Sequence, residues 1–222
     1  ASAQIKTGFR SMSREFELGL ALGSNHQIGA ATVARIEQYI ELALRWNSAI
    51  NLVGRSTAAQ MWERHVIDSA QIFKCASETQ RVWLDLGSGG GFPGIVIAVL
   101  AAEIFPQLRV SLVESDKRKA VFLSEAGRQL GLKLTVHANR IQDLEPQHAD
   151  VVSARALAPL EDLCAYAASH LNAGGVCAFP KGASAQEEIE TARTTWSFNI
   201  DQVASITDSR ASVLFLKDLK RV

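Results

Sequence analysis

The chain has 222 residues, with 23 basic and 23 acidic side chains and no formal net charge. Apolar residues make up 47% and charged residues 21%, which excludes a disordered chain, since such chains are polar and unbalanced in charge. Neutrality also argues against a partner held by long-range charge, such as a nucleic acid. The length suits one domain with a sizeable core plus an appendage. Cys75, Cys164 and Cys177 form no CxxC pair, so neither a disulfide framework nor a cysteine zinc site is expected. The longest apolar run, Gly94 to Ala102, is too short to span a bilayer. The first residues lack the basic-then-apolar layout of a signal peptide. These features predict a soluble cytoplasmic globular protein.

Residues 1–12 have no periodicity and are expected to fray. Ser13 to Leu22 is predicted as a short helix, with Phe16 and Leu20 four apart and Gly23 as its stop. Val33, Ile36, Ile40 and Leu44 recur at helical spacing and predict a helix over Thr32 to Ile50. A loop at 51–56 leads to a third helix, Ala58 to Cys75, with the stripe Trp62, Val66, Ala70 and Phe73. Beyond Thr79 the pattern alternates. Strands are predicted at Arg81–Leu86, Arg109–Glu114, Leu134–His137, Asp150–Ala154 and Gly175–Phe179, with two more near Phe198–Ile206 and Ser212–Leu216. Helices at Phe92–Glu103, Asp116–Leu130, Leu160–His170 and Ser184–Thr195 fall between them. This order predicts an α/β fold, a mostly parallel seven-stranded sheet with helices on both faces. The division expected is a helical extension, residues 1–76, and an α/β domain, residues 77–222. Charge does not distinguish them: residues 1–81 carry nine basic and seven acidic side chains, residues 82–222 carry 14 and 16.

Ligands of such sheets lie beyond the carboxyl ends of the strands. The first strand ends in Asp85-Leu86-Gly87-Ser88-Gly89-Gly90-Gly91-Phe92-Pro93-Gly94. Glycines let the chain turn sharply and let a ligand approach the backbone, and the helix that follows offers unpaired N–H groups to an anion. The dinucleotide pattern GxGxxG needs a third glycine at position 92, which is Phe. The spacing acid-x-GxGxG fits at Asp85, Gly87, Gly89 and Gly91, and it belongs to S-adenosylmethionine (SAM) binding. The second strand ends in Glu114, 29 residues after Asp85, where a carboxylate can accept both ribose hydroxyls. Neither Tyr39 nor Tyr166 has a lysine four residues later, so a dehydrogenase proton-donor pair is missing.

With these motifs in order, the sequence resembles the ribosomal RNA small-subunit methyltransferase G family, also called glucose-inhibited division protein B. The matching residues are Trp46-Asn47 with Asn51-Leu52, Arg64-His65-Val66-Ile67-Asp68-Ser69, and Asp85 to Gly94. Further matches are Lys117-Arg118 with Phe122-Leu123, Ser153-Ala154-Arg155-Ala156, Lys181-Gly182 and the strand from Arg210 to Lys217. The resemblance implies a Rossmann-like SAM-dependent methyltransferase that modifies guanine N7 in 16S ribosomal RNA, near the decoding region of the small subunit, working as a monomer. It places the methionine end of SAM at the loop around Gly87, Ser88 and Phe92, the adenine end at Arg140, Ile141 and Gln142, and a cofactor-contacting arginine at Arg155. Arg210 falls where the family has an arginine. The chain departs from the family at Gly90, where a side chain such as Ala is usual and where its absence should loosen the loop.

The chemistry agrees with what the sequence lacks. Guanine N7 exposes a lone pair, so methyl transfer to it needs orientation and no catalytic base. Amino-group methylation on this fold commonly uses an (Asp/Asn)-Pro-Pro-(Tyr/Phe) turn after the fourth strand, where this chain has Ser153-Ala154-Arg155-Ala156. Pyrimidine C5 methylation needs a cysteine nucleophile, and no cysteine ends a strand. Arg155 and Lys181 end neighbouring strands and are expected to face one crevice and position the substrate, or else to pair with Asp85 or Glu114. Lys117, Arg118 and Lys119 oppose the dipole of the helix they open, which suggests an RNA phosphate as partner or a salt-screened first turn. His65 is a further positioning candidate. Its alternative is to fasten the extension, beside an Arg64–Asp68 helix pair. No second His or Cys lies at ligand spacing, so no metal is expected. Other readings are a SAM-dependent methyltransferase with another substrate and a non-catalytic SAM-sensing or RNA-binding regulator.

Overall fold

The computed structural model describes residues 12–23, 26–54 and 58–222. The expectations for residues 1–11 and for the end of the 51–56 loop lie outside the described residues. Helix α1 (Arg14–Leu22) starts on Ser13, whose side chain accepts from the Phe16 amide, and stops at left-handed Gly23. Helix α2 (Ala30–Ile50) follows. The sheet then begins. Strands β1 (Val82–Leu86), β2 (Arg109–Val113), β3 (Leu134–His137), β4 (Ala149–Ala154), β5 (Leu171–Lys181), β6 (Trp196–Ala204) and β7 (Ser212–Arg221) alternate with helices α3 (Gly94–Ile104), α4 (Lys117–Gln129), α5 (Leu160–His170) and α6 (Ala185–Ala192). The order across the sheet is β3-β2-β1-β4-β5-β7-β6. Strands β1 to β5 pair in parallel, and β7 is antiparallel to both β5 and β6. The order reverses at β1 and β4, and the crevice above that switch point is where such sheets bind ligands.

The period-two alternation of the strands divides the core. Trp83 faces one side with α3 and α4, and Leu84 and Leu86 face the other with Leu163, Phe179 and Ile189. The extension does not form a core of its own. Leu18, Ile36, Tyr39, Ile67 and Phe73 join a single apolar cluster with Ile95, Val96 and Phe122. Helix α3 is buried continuously from Gly94 to Ala101 because it lies inside that cluster, as a helix apolar on all sides must.

The first two helices form as expected, though not every spaced apolar residue in them faces inward, and the third needs correction. Phe16 and Leu20 are 54% and 48% exposed, and α1 buries Leu18, Ala21 and Leu22 instead. In α2, Leu44 is also exposed, while Tyr39, Leu42 and Ala43 are buried. Short apolar spacings did not identify the inward face, because both sides of these helices carry apolar residues. The third helix is not a regular α-helix. A 3₁₀ turn (Ala58–Gln60), a π-helical stretch (Trp62–Ile67), one α turn (Asp68–Ala70) and a 3₁₀ stretch (Gln71–Cys75) make one bent segment. Such winding changes commonly occur at functional positions. Here Val66, Ile67 and Ala70 stay in the core while Arg64, His65 and Asp68 reach the crevice.

Candidate active site

A cavity of about 1190 Å³ opens over the switch point. Its first wall is the glycine loop. Gly87, Gly89 and Gly91 have φ of 62°, 55° and 87°, the left-handed region that side chains rarely enter. A side chain at Gly89 would find only the Gly87 carbonyl within 4 Å, so the backbone there is open to an approaching ligand. Gly91 points the other way. A Cβ there would come within 2.6 Å of both Ile95 and the Tyr39 hydroxyl. Gly90 is no looser for lacking a side chain: a Cβ would lie 2.8 Å from the Leu52 carbonyl. The extension holds this loop from behind. Tyr39 donates from its hydroxyl to the Gly90 carbonyl, and Asn47 Oδ1 accepts the amides of Leu52 and Val53 at 2.7 and 2.9 Å. The Tyr39 contact was not expected, because it joins residues 51 apart whose meeting depends on how α2 packs, whereas the Asn47 bonds are local to the end of α2.

Glu114 is buried beside the loop. Its Oε2 accepts the Gly89 amide at 2.8 Å and its Oε1 accepts the Asp116 amide at 2.8 Å. Each oxygen keeps a second lone pair for a ribose hydroxyl. Asp85 differs from the expectation. It is fully buried and does not line the cavity. Register pairs it with Ser153, whose hydroxyl donates to Oδ1 at 2.6 Å and accepts from Trp83 Nε1 at 2.9 Å. Oδ2 makes no well-formed hydrogen bond among the described residues. Burial raises the Asp85 carboxyl to about 6, against the pull of the Ser153 and Ser88 hydroxyls, the Gly94 amide and Arg155. Asp85 therefore lies behind the loop, bonded to Ser153, and not in the cavity lining. Ser88, Phe92, Arg140, Ile141 and Gln142 do line the cavity. The turn at Ile141–Asp143 is braced by α5, where Tyr166 Oη meets Gln142 Nε2 at 3.2 Å and His170 Nε2 meets the Ile141 carbonyl at 3.3 Å.

The second wall is built around Arg155, just past β4. Its Nη2 lies 2.7 Å from His65 Nδ1, and its Nη1 lies 3.2 Å from the Arg64 carbonyl and 3.3 Å from Asp68 Oδ2. The guanidinium carbon stands 5.6 Å from the Phe92 ring centroid, and His65 packs on that ring at 5.1 Å. Arg155 can only donate, so Nδ1 accepts, and the imidazole is neutral. Burial, with the cations of Arg155 and Arg64, lowers His65 to about 4. The expected Arg64–Asp68 pair does not form, because Asp68 turns to Arg155. Lys181 lines the same cavity, but its ammonium is bound to Glu188 Oε2 at 2.6 Å and the Ala158 carbonyl at 2.8 Å. Burial resists ionisation of Glu188, yet Lys181, Ser184 and the Leu160 amide hold its carboxyl below the usual range. Thus Arg155 and Lys181 pair with Asp68 and Glu188, and neither pairs with Asp85 or Glu114.

The basic residues do not all gather at one place. Lys119, Arg64 and Arg140 line the cavity beside Arg155 and Lys181, whereas Lys117, Arg118 and Arg210 lie outside its lining. Arg118 and Arg210 are exposed and lean on Asp116 and Asp208 at 3.2 and 3.4 Å. Asp116 caps α4 by accepting the amides of Arg118 and Lys119, which offsets the three cations in its first turn. Among the described residues, no helix is long and apolar enough to cross a membrane.

The donor set fits SAM. The open backbone at Gly89 suits the amino-acid end, Glu114 the ribose, and the Ile141–Gln142 turn an adenine edge. Comparison with known proteins agrees with this geometry. Residues 32–214 match the family model described as GidB, rRNA small subunit methyltransferase G. The ribosomal RNA small subunit methyltransferase G of Cereibacter sphaeroides (strain ATCC 17025 / ATH 2.4.3) is 53% identical over 195 residues, which are 88% of this chain and 94% of that protein. That of Jannaschia sp. (strain CCS1) is 46% identical over 85% of this chain and 89% of its own length. Among solved structures, an O-methyltransferase from Bacillus cereus in complex with SAH superposes with a TM-score of 0.55, over 82% of this chain and 91% of that one. At 14% identity, that last likeness is one of fold. Residue motifs, sheet order and family match converge: the chain belongs to the rRNA small subunit methyltransferase G family.

Proposed function

We propose that the protein transfers a methyl group from SAM to N7 of a guanosine in 16S ribosomal RNA, in the decoding-region loop of the small subunit. The observation that carries this reading is one cavity joining the glycine loop and Glu114 to a wall of His65, Arg155 and Lys181, with the two cations held by Asp68 and Glu188. The relatives' names supply the ribosomal RNA of the small subunit. Bound SAM supplies an activated methyl group, and the chain's own task is to hold the acceptor nitrogen in line with it.

The lining contains no cysteine. Burial pushes the thiols of Cys75 and Cys164 up to about 12, and that of Cys177 well above its ordinary value. A cysteine nucleophile for C5 chemistry is therefore unsupported. Arg155 and Lys181 orient the acceptor base or the phosphate beside it, as donors already fixed by Asp68 and Glu188. Neutral His65 adds no positive charge beside a purine that becomes cationic on N7 methylation. Lys117, Arg118, Lys119 and Arg210 serve as a local basic rim for phosphates. The reading includes a monomeric, metal-free enzyme of the cytoplasm.

The test is labelled SAM offered to small subunits from a strain lacking this gene, with the labelled base then identified. Label on guanine N7 of 16S RNA is the expected result. Label on any other base or position overturns the assignment, and a protein that fails to bind SAM at millimolar concentration overturns the cofactor as well.

A further inference from the structure

Gln71 belongs to the bent helical segment, is 1% exposed and does not line the cavity. A buried amide must satisfy its hydrogen-bonding groups, and two of the partners of Gln71 lie 134 and 135 residues away in sequence. Its Oε1 accepts the Ile206 amide at 2.8 Å. Its Nε2 donates to Ser205 Oγ at 3.2 Å and to Asp68 Oδ1 at 3.3 Å. Asp68 Oδ1 also accepts from the Thr207 hydroxyl at 3.1 Å, while Asp68 Oδ2 holds Arg155. Ser205 Oγ lies 2.9 Å from Thr207 Oγ1 and accepts the Thr207 amide at 3.2 Å. The loop between β6 and β7, residues 205–211, is therefore tied to the same carboxylate that fixes Arg155. Ser205, Thr207, Asp208 and Ala211 from that loop line the cavity.

We propose that Gln71 is a positioning residue. With Asp68 it clamps the 205–211 loop to the extension and so sets the wall of the acceptor compartment. The inference rests on the proposed methyl transfer. The glycine loop, Glu114 and the Ile141–Gln142 turn account for the cofactor, which leaves Arg64, Arg155 and the 205–211 loop to enclose the acceptor nucleotide. The two strands that carry the loop are held by contacts that do not involve Gln71: their antiparallel register, from Trp196 opposite Arg221 to Ala204 opposite Ser212, and side-chain bonds from Asn199 to Asp218 and from Gln202 to Ser212. What the clamp adds is the placement of one wall relative to Arg155. Networks of this kind in a low-dielectric interior fix geometry strongly when every member is satisfied.

The test compares the full-length protein with Gln71→Ala and Thr207→Val, using small subunits lacking the modification and SAH as a cofactor probe. The KM for small subunits should rise about tenfold in each variant, the size expected from losing one or two buried hydrogen bonds. SAH affinity should stay within about twofold and kcat within about threefold, because the cofactor wall is untouched. The double variant should be no worse than the stronger single one, since both break one network. Unchanged KM overturns the clamp, and so does a loss of SAH affinity in parallel with KM, which marks a general loosening of the fold. If Gln71→Ala does not fold, Gln71→Met, which keeps the volume and removes the hydrogen bonds, decides the matter alone, since Gln71, unlike Thr207, does not line the cavity. Failure of the wild-type protein to label small subunits would instead be a failure of the functional reading.

Discussion

The two walls of the cavity are built differently. The cofactor wall comes mainly from contiguous chain: Gly87 to Phe92 leave β1 together, and Glu114 ends the adjacent strand. The acceptor wall is assembled from the bent segment at Arg64 to Asp68, the turn after β4 at Arg155, the end of β5 at Lys181, and the 205–211 loop. Positive-φ backbone shapes the first wall, with Glu114 and Tyr39 bonded to it from other elements, while the second is made of side-chain bonds between distant segments. Damage to the first should therefore abolish cofactor binding, and damage to the second should spare it.

The largest effect should come from Gly91→Ala. The new Cβ meets Ile95 and Tyr39 at 2.6 Å, at a φ of 87°. Strain and clash together are expected to cost about 3 kcal/mol or more, so SAM binding by titration calorimetry should weaken at least about 100-fold. Retained affinity would show that the loop adapts more freely than its packing indicates.

Arg155→Ala tests the other wall. Methylation of small subunits should fall about 100-fold, as for a buried charged group that holds several partners, with the circular dichroism spectrum unchanged. Unaltered methylation by a folded Arg155→Ala protein would remove Arg155 from the reaction.

Tyr39→Phe joins the comparison from behind the loop. It removes one hydroxyl bond to the Gly90 carbonyl while keeping the ring against Phe92. A loss of about 1 kcal/mol in stability is expected, read by urea unfolding, with SAM affinity reduced only a few-fold. An effect as large as that of Gly91→Ala would mean that the extension, and not the glycines, holds the loop.

The smallest net effect is on acid stability, because the two walls titrate in opposite directions. Asp85 has a folded pKa raised to about 6, so its contribution is fully present below the unfolded value near 4 and is lost as pH rises through 6. His65 has a folded pKa lowered to about 4, so its contribution is present above the unfolded value near 6.5 and is lost as pH falls through 4. Melting temperature should thus change little between pH 4 and 6.5 on their account. Asp85→Asn should unmask a decline on acidification, and His65→Gln should unmask a gain. Parallel profiles for the two variants would refute the opposed titration.

Much of the fold was legible from alternation and punctuation. All seven strands, α2 and the four helices between strands fall where spacing predicted them, with β5 longer than expected because its start pairs with β4 and its end with β7, and β7 longer because its end pairs with β6. The glycine loop and Glu114 were legible because their function lies in backbone freedom and strand-end position. The partners of Arg155 and Lys181 were not, because Asp68 and Glu188 lie 87 and 7 residues away with no shared spacing rule. The burial of Asp85 was not legible for a related reason. Its position in the motif says that an acid is needed, but only the β1–β4 register, which puts Ser153 beside it, shows that the acid faces inward.

The opening balance of charges gains a narrower meaning in the same way. By itself, the sequence determined a neutral α/β chain with a SAM-type loop, since composition and local spacing act through the backbone at short range. Tertiary structure decided which charges matter. Arg64, Lys119, Arg140, Arg155 and Lys181 share one cavity, while Lys117, Arg118 and Arg210 stay outside its lining. Electrostatics depends on distance and burial, and neither is encoded in a sum over residues.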